Sequence, residues 1–337
     1  MAGVLCAAGG ETIGNGTGTG TDTTARRSAT DGVIMRIGIT LTDSRGPDAL
    51  TRLRDELADA AANGMQSAWL SNIFGLDALT ALAVAGSQVP GIEVGTAVVP
   101  TFPRHPVTLA QQALTTALAV SGRLTLGIGL SHRIVIEDML GYSFDRPLRH
   151  LSDYLDALLP LLDGEPVDVR RETVRAVAGL TTPRVGRVPV LVAALGPKML
   201  RLAGARVDGT VLWMTGVSTV RDHVMPTLQT AASEAGRPPA RVVAMLPVAV
   251  TDDTEAARER AAREFEVYGT LPSYRAMLDR EGVTGPADIA LIGDEKSVRA
   301  RIEEFGDAGV TDFVAAAFSG PDAARTRALL GELATAA

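Results

Sequence analysis

Ile92-Glu93-Val94-Gly95-Thr96-Ala97-Val98-Val99-Pro100-Thr101-Phe102-Pro103-Arg104-His105-Pro106 leads into an Ala/Leu/Gln-rich stretch, 107–120, and then into Arg123-Leu124-Thr125-Leu126-Gly127-Ile128-Gly129-Leu130-Ser131-His132. A short apolar run ends in a Thr/Pro/His loop, a helical stretch follows, and a second apolar run ends in Gly-Ile-Gly. Two buried parallel strands joined by a crossover helix produce this pattern, because both faces of such strands are covered. The polar residues fall just past each strand's carboxyl end, where parallel α/β folds place their chemistry.

The same alternation extends in both directions. Residues 35–41 read as a first strand, and 47–62 as a helix with Pro47 at its start and Asn63-Gly64 as its stop. A second strand, 67–70, and a helix, 77–86, complete the upstream half. Downstream, 147–162 is helical, with Leu151, Leu155, Leu158 and Leu159 recurring at helical spacing. Residues 164–186 break into short alternating segments that suggest a hairpin excursion. Strands at 189–193, 209–214, 241–250 and 312–318 then alternate with helices at 196–204, 217–235, 254–278 and 295–306. Eight strands in this order predict a (β/α)₈ TIM barrel with insertions. The alternative is an open doubly wound sheet, whose GxGxxG fingerprint is incomplete here because His132 stands at the third position after Gly127 and Gly129.

Composition narrows the partners. Of the 337 residues 46% are hydrophobic but only 4% aromatic, which suits a core of aliphatic layers. The net charge of −7 argues against a nucleic-acid partner, since phosphate neutralisation needs a basic surface. One cysteine, Cys6, excludes an intrachain disulfide and suits a reducing cytoplasm. No apolar run reaches the roughly 20 residues of a membrane helix. Residues 1–34 contain the Gly/Thr tract Gly14-Asn15-Gly16-Thr17-Gly18-Thr19-Gly20-Thr21, which buries no apolar surface. They are expected to form a disordered extension, or to precede a true start at Met35, leaving 35–337 as the folded domain.

In a barrel the residues at strand carboxyl ends face the ligand. That nominates Thr40, Asn72, Thr96, Ala97, Val99, Ser131, His132, Ala194, Gly196, Thr215 and Gly216. No His/Cys/carboxylate cluster has metal-ligand spacing, and no Gly-x-Ser-x-Gly elbow of a hydrolase occurs. Ala194-Leu195-Gly196-Pro197-Lys198 puts a small loop at a helix amino terminus, where free N–H groups and the dipole favour an anion. Lys198 adds charge, and Thr215-Gly216 at the next strand offers a hydroxyl and an N–H. The other reading of these loops is an ordinary Gly-Pro turn. His132 has the pKa range for proton donation, against the plain reading of a solvated loop histidine. Of the other histidines, His105 is expected to shape its loop, His150 to face solvent or cap a neighbour, and His223 to be inert. Trp69 and Trp213 are expected to pack.

Thr96-Ala97-Val98-Val99-Pro100-Thr101-Phe102, then His105-Pro106, Gln111 and Gly127-Ile128-Gly129, together resemble the luciferase-like flavin and deazaflavin oxidoreductases, most of all their actinobacterial branch that uses coenzyme F420. The resemblance spans roughly 35–320. It implies a phosphate held at Ala194–Lys198 and Thr215-Gly216, with Thr40, Val99, Gly129 and Ser131 also lining the cofactor. It implies a non-proline cis peptide at Thr96-Ala97, bulging against the cofactor's central ring, and pairing of two subunits through helices 77–86 and 107–120. It departs at Asn72-Ile73, where the sugar-phosphate dehydrogenases of the superfamily read Asp-His. Ile73 cannot act as a base, so that reaction is not expected, while Asn72 retains an amide for the cofactor or substrate.

Three functions follow as expectations. The first is an F420-dependent oxidoreductase acting on a small organic or peptide substrate with an activated C=C or C=N bond, or on an alcohol in the reverse sense. The second is an FMN-dependent monooxygenase on the same barrel. The third is a barrel that has lost its cofactor and only binds a ligand.

Overall fold

Eight parallel strands close into a ring in the computed structural model, which describes residues 34–42, 45–318, 320 and 322–336. The strands are β1 (Arg36–Thr40), β2 (Ser67–Leu70), β3 (Glu93–Thr96), β4 (Leu124–Gly129), β5 (Val190–Ala193), β6 (Gly209–Trp213), β7 (Arg241–Val250) and β8 (Asp312–Ala317). Each pairs with the next, and β8 returns to β1 with Arg36 opposite Asp312 and Ile39 opposite Ala315. This is the expected barrel and not an open sheet. The expected amino-terminal extension, Cys6 included, lies outside the described residues apart from Ile34.

Two cores follow from the alternation of the strands. Inside the ring, Trp69, Leu191, Val211, Val243, Met245 and Val314 interlock, capped at one end by Ala97, Val98 and Trp213. Trp69 fills the centre, its indole N–H donating to Ser67 Oγ at 3.0 Å. Gly95 makes room for it, since a Cβ there would lie 2.3 Å from the Trp69 ring. Outside the ring, Leu, Val, Ile and Ala side chains of the strands meet the apolar faces of the helices.

The amino-terminal end of the barrel is sealed by charge. Arg241 at the start of β7 bonds Asp312 at 2.6 Å and Glu93 at 2.7 Å, and Arg36 reaches the same two carboxylates. Burial alone would lower the Arg241 pKa, but the hydrogen bond and charge of Asp312, joined by Glu93, raise it above its ordinary value.

The sequence reading differs from the structure in five places, one of them the carboxyl-terminal helix Ala323–Ala336, for which it gives no element. The stretch 254–278 is three helices, Thr254–Glu264, Glu266–Thr270 and Pro272–Glu281. Pro272 lacks an amide and forces Leu271 out of the helical region, to ψ 123°. The helix after β6 widens to a π-turn at Val220–Val224, just before Pro226, whose missing amide interrupts the regular ladder. A second π-turn, Ile134–Met139, follows β4. A short strand, Leu291–Gly293, pairs with the end of β7 outside the ring. The excursion at 164–186 is the expected hairpin, Val167–Arg170 against Arg175–Ala178. Among the described residues no helix is long and apolar enough to cross a membrane, and no three His, Cys, Asp or Glu side chains converge as a metal site needs.

Candidate active site

The carboxyl ends of β3, β4, β5 and β6 stand side by side in the ring, so the nominated loops meet at one mouth. The centre of that mouth is a bulge. After β3 the Ala97 N–H still donates to Leu70 O at 2.9 Å, the Ala97–Val98 peptide is cis, and Val99-Pro100 rejoins the sheet opposite Ile128-Gly129. The cis bond thus lies one residue beyond the expected Thr96-Ala97 pair. Gly127 and Gly129 exist for this bulge. A Cβ on Gly127 would stand 2.0 Å from Thr96 O, and one on Gly129 would stand 2.6 Å from Val98 Cγ2.

Thr96 and Val99 turn out to be internal. The Thr96 hydroxyl donates to Gly127 O at 2.8 Å and accepts from Gly127 N at 2.9 Å, so both its capacities are spent clamping β3 to β4. Val99 is fully buried in the outer core. Neither side chain reaches a ligand, and only the half-buried Ala97 and Val98 carry the bulge to the mouth. Behind it, Thr101 Oγ1 meets His150 Nε2 at 3.1 Å, and the His150 ring stacks on Phe102 at 3.9 Å. His150 is therefore half-buried rather than solvent-facing, and burial, only partly opposed by the Asp153 charge, lowers its pKa to about 4.

Ser131, with φ 61°, turns the chain out of β4 in the left-handed region, and Met214, with φ 51°, does the same after β6. Non-glycine residues held there concentrate at functional loops. His132 follows, half-buried, its ring 5.8 Å from that of Tyr274. Burial lowers its pKa, so the imidazole is neutral at neutral pH and donates through one N–H. Asn72 Oδ1 accepts from Ala78 N at 2.9 Å and so caps a helix, leaving the amide nitrogen as its free function. Thr40 ends β1 opposite Trp69, half-buried at the rim.

The two anion seats differ. Ala194 is buried, and His223, far from inert, holds Leu195 O at 2.9 Å. Gly196 then opens the helix Pro197–Arg206 with no side-chain cap, nothing lies within 4 Å of a Cβ placed on it, and Lys198 is exposed beside it. This seat is open. The other is filled. Thr215 donates to Trp213 O at 3.2 Å, and above Gly216 lies the carboxylate of Glu281, which accepts from Ser218 N at 3.1 Å and Thr219 N at 2.7 Å. A Cβ on Gly216 would stand 2.2 Å from that carboxylate. Of the two loops expected to hold an anion, Gly196–Lys198 is open, while the Glu281 carboxylate occupies the space beside Gly216.

Sequence reasoning missed the insertion between β7 and β8. Phe265, Tyr268 and Tyr274 gather on Trp213, which makes edge contacts at 5.8 Å with both Phe265 and Tyr268. Trp213 packs, as expected, on these rings and on the inner core. The signal was there: a chain with 4% aromatic residues places two of its four tyrosines in this segment.

The comparisons agree with this geometry. The sequence model of the luciferase-like monooxygenases matches residues 32–312. The 5,10-methylenetetrahydromethanopterin reductase of Methanolobus tindarius is 26% identical over 81% of this chain and 92% of its own. Among solved structures, the coenzyme F420-dependent tetrahydromethanopterin reductase of Methanopyrus kandleri superposes with a TM-score of 0.76 at 21% identity, covering 88% of this chain and 97% of that one. The FMN-bound oxygenating constituent of 3,6-diketocamphane monooxygenase from Pseudomonas putida superposes with a TM-score of 0.71 at 17% identity, covering 89% and 97%. At these identities the two structures speak for the fold. The family match, carried over most of a barrel whose bulge and glycines are in place, means that the chain belongs to the luciferase-like monooxygenase family.

Proposed function

We propose that the chain is an F420-dependent oxidoreductase that moves a hydride between the deazaflavin and a small organic substrate. The observation that carries this reading is the Ala97-Val98 bulge, seated on Gly127 and Gly129 beside the open helix terminus at Gly196. The relatives support it, since one similar structure is of a coenzyme F420-dependent reductase. When bound, the cofactor supplies the hydride at a carbon of its tricycle.

The chain's own residues orient and protonate. Main chain at Ala97-Val98 backs one face of the ring, and the glycines behind it keep that surface flat. The free N–H groups of Lys198 and Met199 in the first turn, Pro197 having none, and the Lys198 ammonium hold the phosphate. His132 and the amide nitrogen of Asn72 stand at the rim as donors toward substrate. Activated C=C or C=N bonds, in a small molecule or modified peptide, are the substrates this arrangement suits, with alcohol oxidation as the reverse sense. Two subunits would pair through helices Ala78–Gly86 and Pro106–Ala119, which expose Val84 and Leu118. A cytoplasmic location accords with the lone cysteine.

The FMN monooxygenase reading is favoured by the FMN-bound neighbour of the same fold. Titration of the purified protein with F420 and with FMN, oxygen uptake being followed alongside, separates the two. The expected result is tighter binding of F420, weakened by Lys198→Ala, with no oxygen uptake. Tight FMN binding with oxygen consumption would replace the first reading by the second.

A further inference from the structure

The rings at the mouth form a connected array. It runs from His132 after β4 to Tyr274 at 5.8 Å, to Tyr268 at 5.0 Å, to Trp213 at 5.8 Å, to Phe265 at 5.8 Å and to Phe318 after β8 at 5.9 Å. Trp213, Tyr268 and Tyr274 are each half-buried. The cation seated on this array, Arg260, lies over Phe318 at its far end, 5.2 Å from the ring centre. Arg260 is paired with Glu264, and Glu281, at the end of the insertion's last helix, is tied to Ser218 and Thr219. What remains in the middle is aromatic surface with three polar tips, the Trp213 N–H and the hydroxyls of Tyr268 and Tyr274.

One of those tips is unusual. Among the described residues Trp213 Nε1 is a buried side-chain donor with no hydrogen-bond partner. Tyr268 is its polar neighbour: burial pushes that phenol up, and the indole N–H leaning toward its oxygen pulls the other way without closing a hydrogen bond. Buried polar groups are nearly always paired, so an orphan at the mouth of a barrel calls for a partner that comes and goes. Trp213 packs on the same inner core as Ala97 and Val98, so the array and the bulge share that core.

We propose that the Trp213–Tyr268–Tyr274 surface is the substrate seat, and that it takes a neutral, planar, largely apolar molecule bearing one hydrogen-bond acceptor, which Trp213 Nε1 receives. Aromatic faces supply contact area for a flat apolar body. The indole N–H fixes the acceptor, a carbonyl or imine, and so sets which end of the molecule lies toward Ala97-Val98. An anionic substrate finds no counter-charge on these rings and loses its hydration on entering. The name "substrate" rests on the oxidoreductase reading; the existence and chemistry of the seat do not.

Three naphthalenes test it by calorimetric titration of the cofactor-free protein: 2-acetylnaphthalene, 2-ethylnaphthalene without the acceptor, and the anion 2-naphthoate. The ketone is expected to bind at least tenfold more tightly than the carboxylate. Trp213→Phe, which keeps a ring but removes the donor, should weaken the ketone by about fivefold to tenfold and leave 2-ethylnaphthalene unchanged. Thermal unfolding confirms that the variant is folded, and its F420 affinity, measured in parallel, should match the wild type. Equal affinity for ketone and carboxylate, indifference of the ketone to Trp213→Phe, or no binding of any probe would each overturn the proposal. Loss of F420 binding by the wild type with the ketone result intact would instead strike the cofactor reading alone.

Discussion

The two ends of this barrel are built on opposite terms. At the amino-terminal end Arg241, Arg36, Asp312 and Glu93 neutralise one another at distances of 2.6 to 3.3 Å, and Thr125 Oγ1 takes a further Arg241 N–H. At the carboxyl end the chain bulges at Ala97-Val98, turns through left-handed Ser131 and Met214, leaves Gly196 uncapped and leaves the Trp213 N–H unpaired. One end pairs its charges throughout, and the other leaves the Gly196 helix terminus without a side-chain cap and the Trp213 N–H without a partner among the described residues. The difference explains how a barrel can be rigid and still carry a site, because the ring is pinned at the end where no ligand enters.

The largest effect should come from breaking the closed end. Asp312→Ala removes the buried carboxylate and leaves the half-buried Arg241 with Glu93 as its remaining ion-pair partner; breaking a buried pair costs about 3–5 kcal/mol, and the loss here should fall near the lower end. Denaturant unfolding measures the loss, while F420 affinity of the folded fraction should not change. An altered affinity at unchanged stability would mean that the two ends are not independent.

Acid should act on the mouth side. His150 has its pKa lowered from 6.5 to about 4 by burial against Phe102 and Thr101, so the unfolded chain takes up a proton that the folded chain refuses. Stability from this residue is complete above pH 6.5 and is lost as pH falls from 6.5 toward 4. A shift of that size corresponds to about 3 kcal/mol, which solvent screening of the partly exposed ring reduces to about 2 kcal/mol. In His150→Phe, which keeps a ring on Phe102, the slope of stability with pH across this window should shrink; an unchanged slope would assign it to other groups.

The smallest effects come from a pair of glycines at the mouth. Gly127→Ala drives a Cβ against Thr96 O, where a contact of 2.0 Å would have to open. Overpacking of this kind costs about 1–3 kcal/mol, and by shifting the bulge it should also weaken F420 binding. Gly196→Ala meets nothing within 4 Å at an ordinary φ of −78°, so stability should stay near the wild type. Equal stability of the two alanine variants would contradict the close approach of bulge and strand.

The fold was legible because its signals are local. Eight apolar runs separated by helical stretches count out the ring without knowledge of any contact. The site was legible only in part. The Ala194–Lys198 loop carries its anion chemistry in adjacent residues, and the structure keeps it open. Thr215-Gly216 carries the same signal, but Glu281, more than sixty residues away in the chain, fills the seat. Gly-Ile-Gly reads as a turn, yet the spacing reflects two collisions with Thr96 and Val98 that only the folded bulge creates. Thr96 and Val99 lie at the strand end as expected, but the direction of a side chain there depends on the bulge, and it turns both inward. The aromatic insertion looked like one helix because its breaks, at Phe265 and before Pro272, interrupt a pattern that is otherwise helical.

The most direct test of this division is hydrogen–deuterium exchange of the protein with and without F420. Protection confined to 96–99, 127–132 and 194–199, with the sealed end around Arg36, Glu93, Arg241 and Asp312 unchanged, is the predicted result. Protection centred on the sealed end or on the outer helices, with the bulge exchanging as before, would contradict the account.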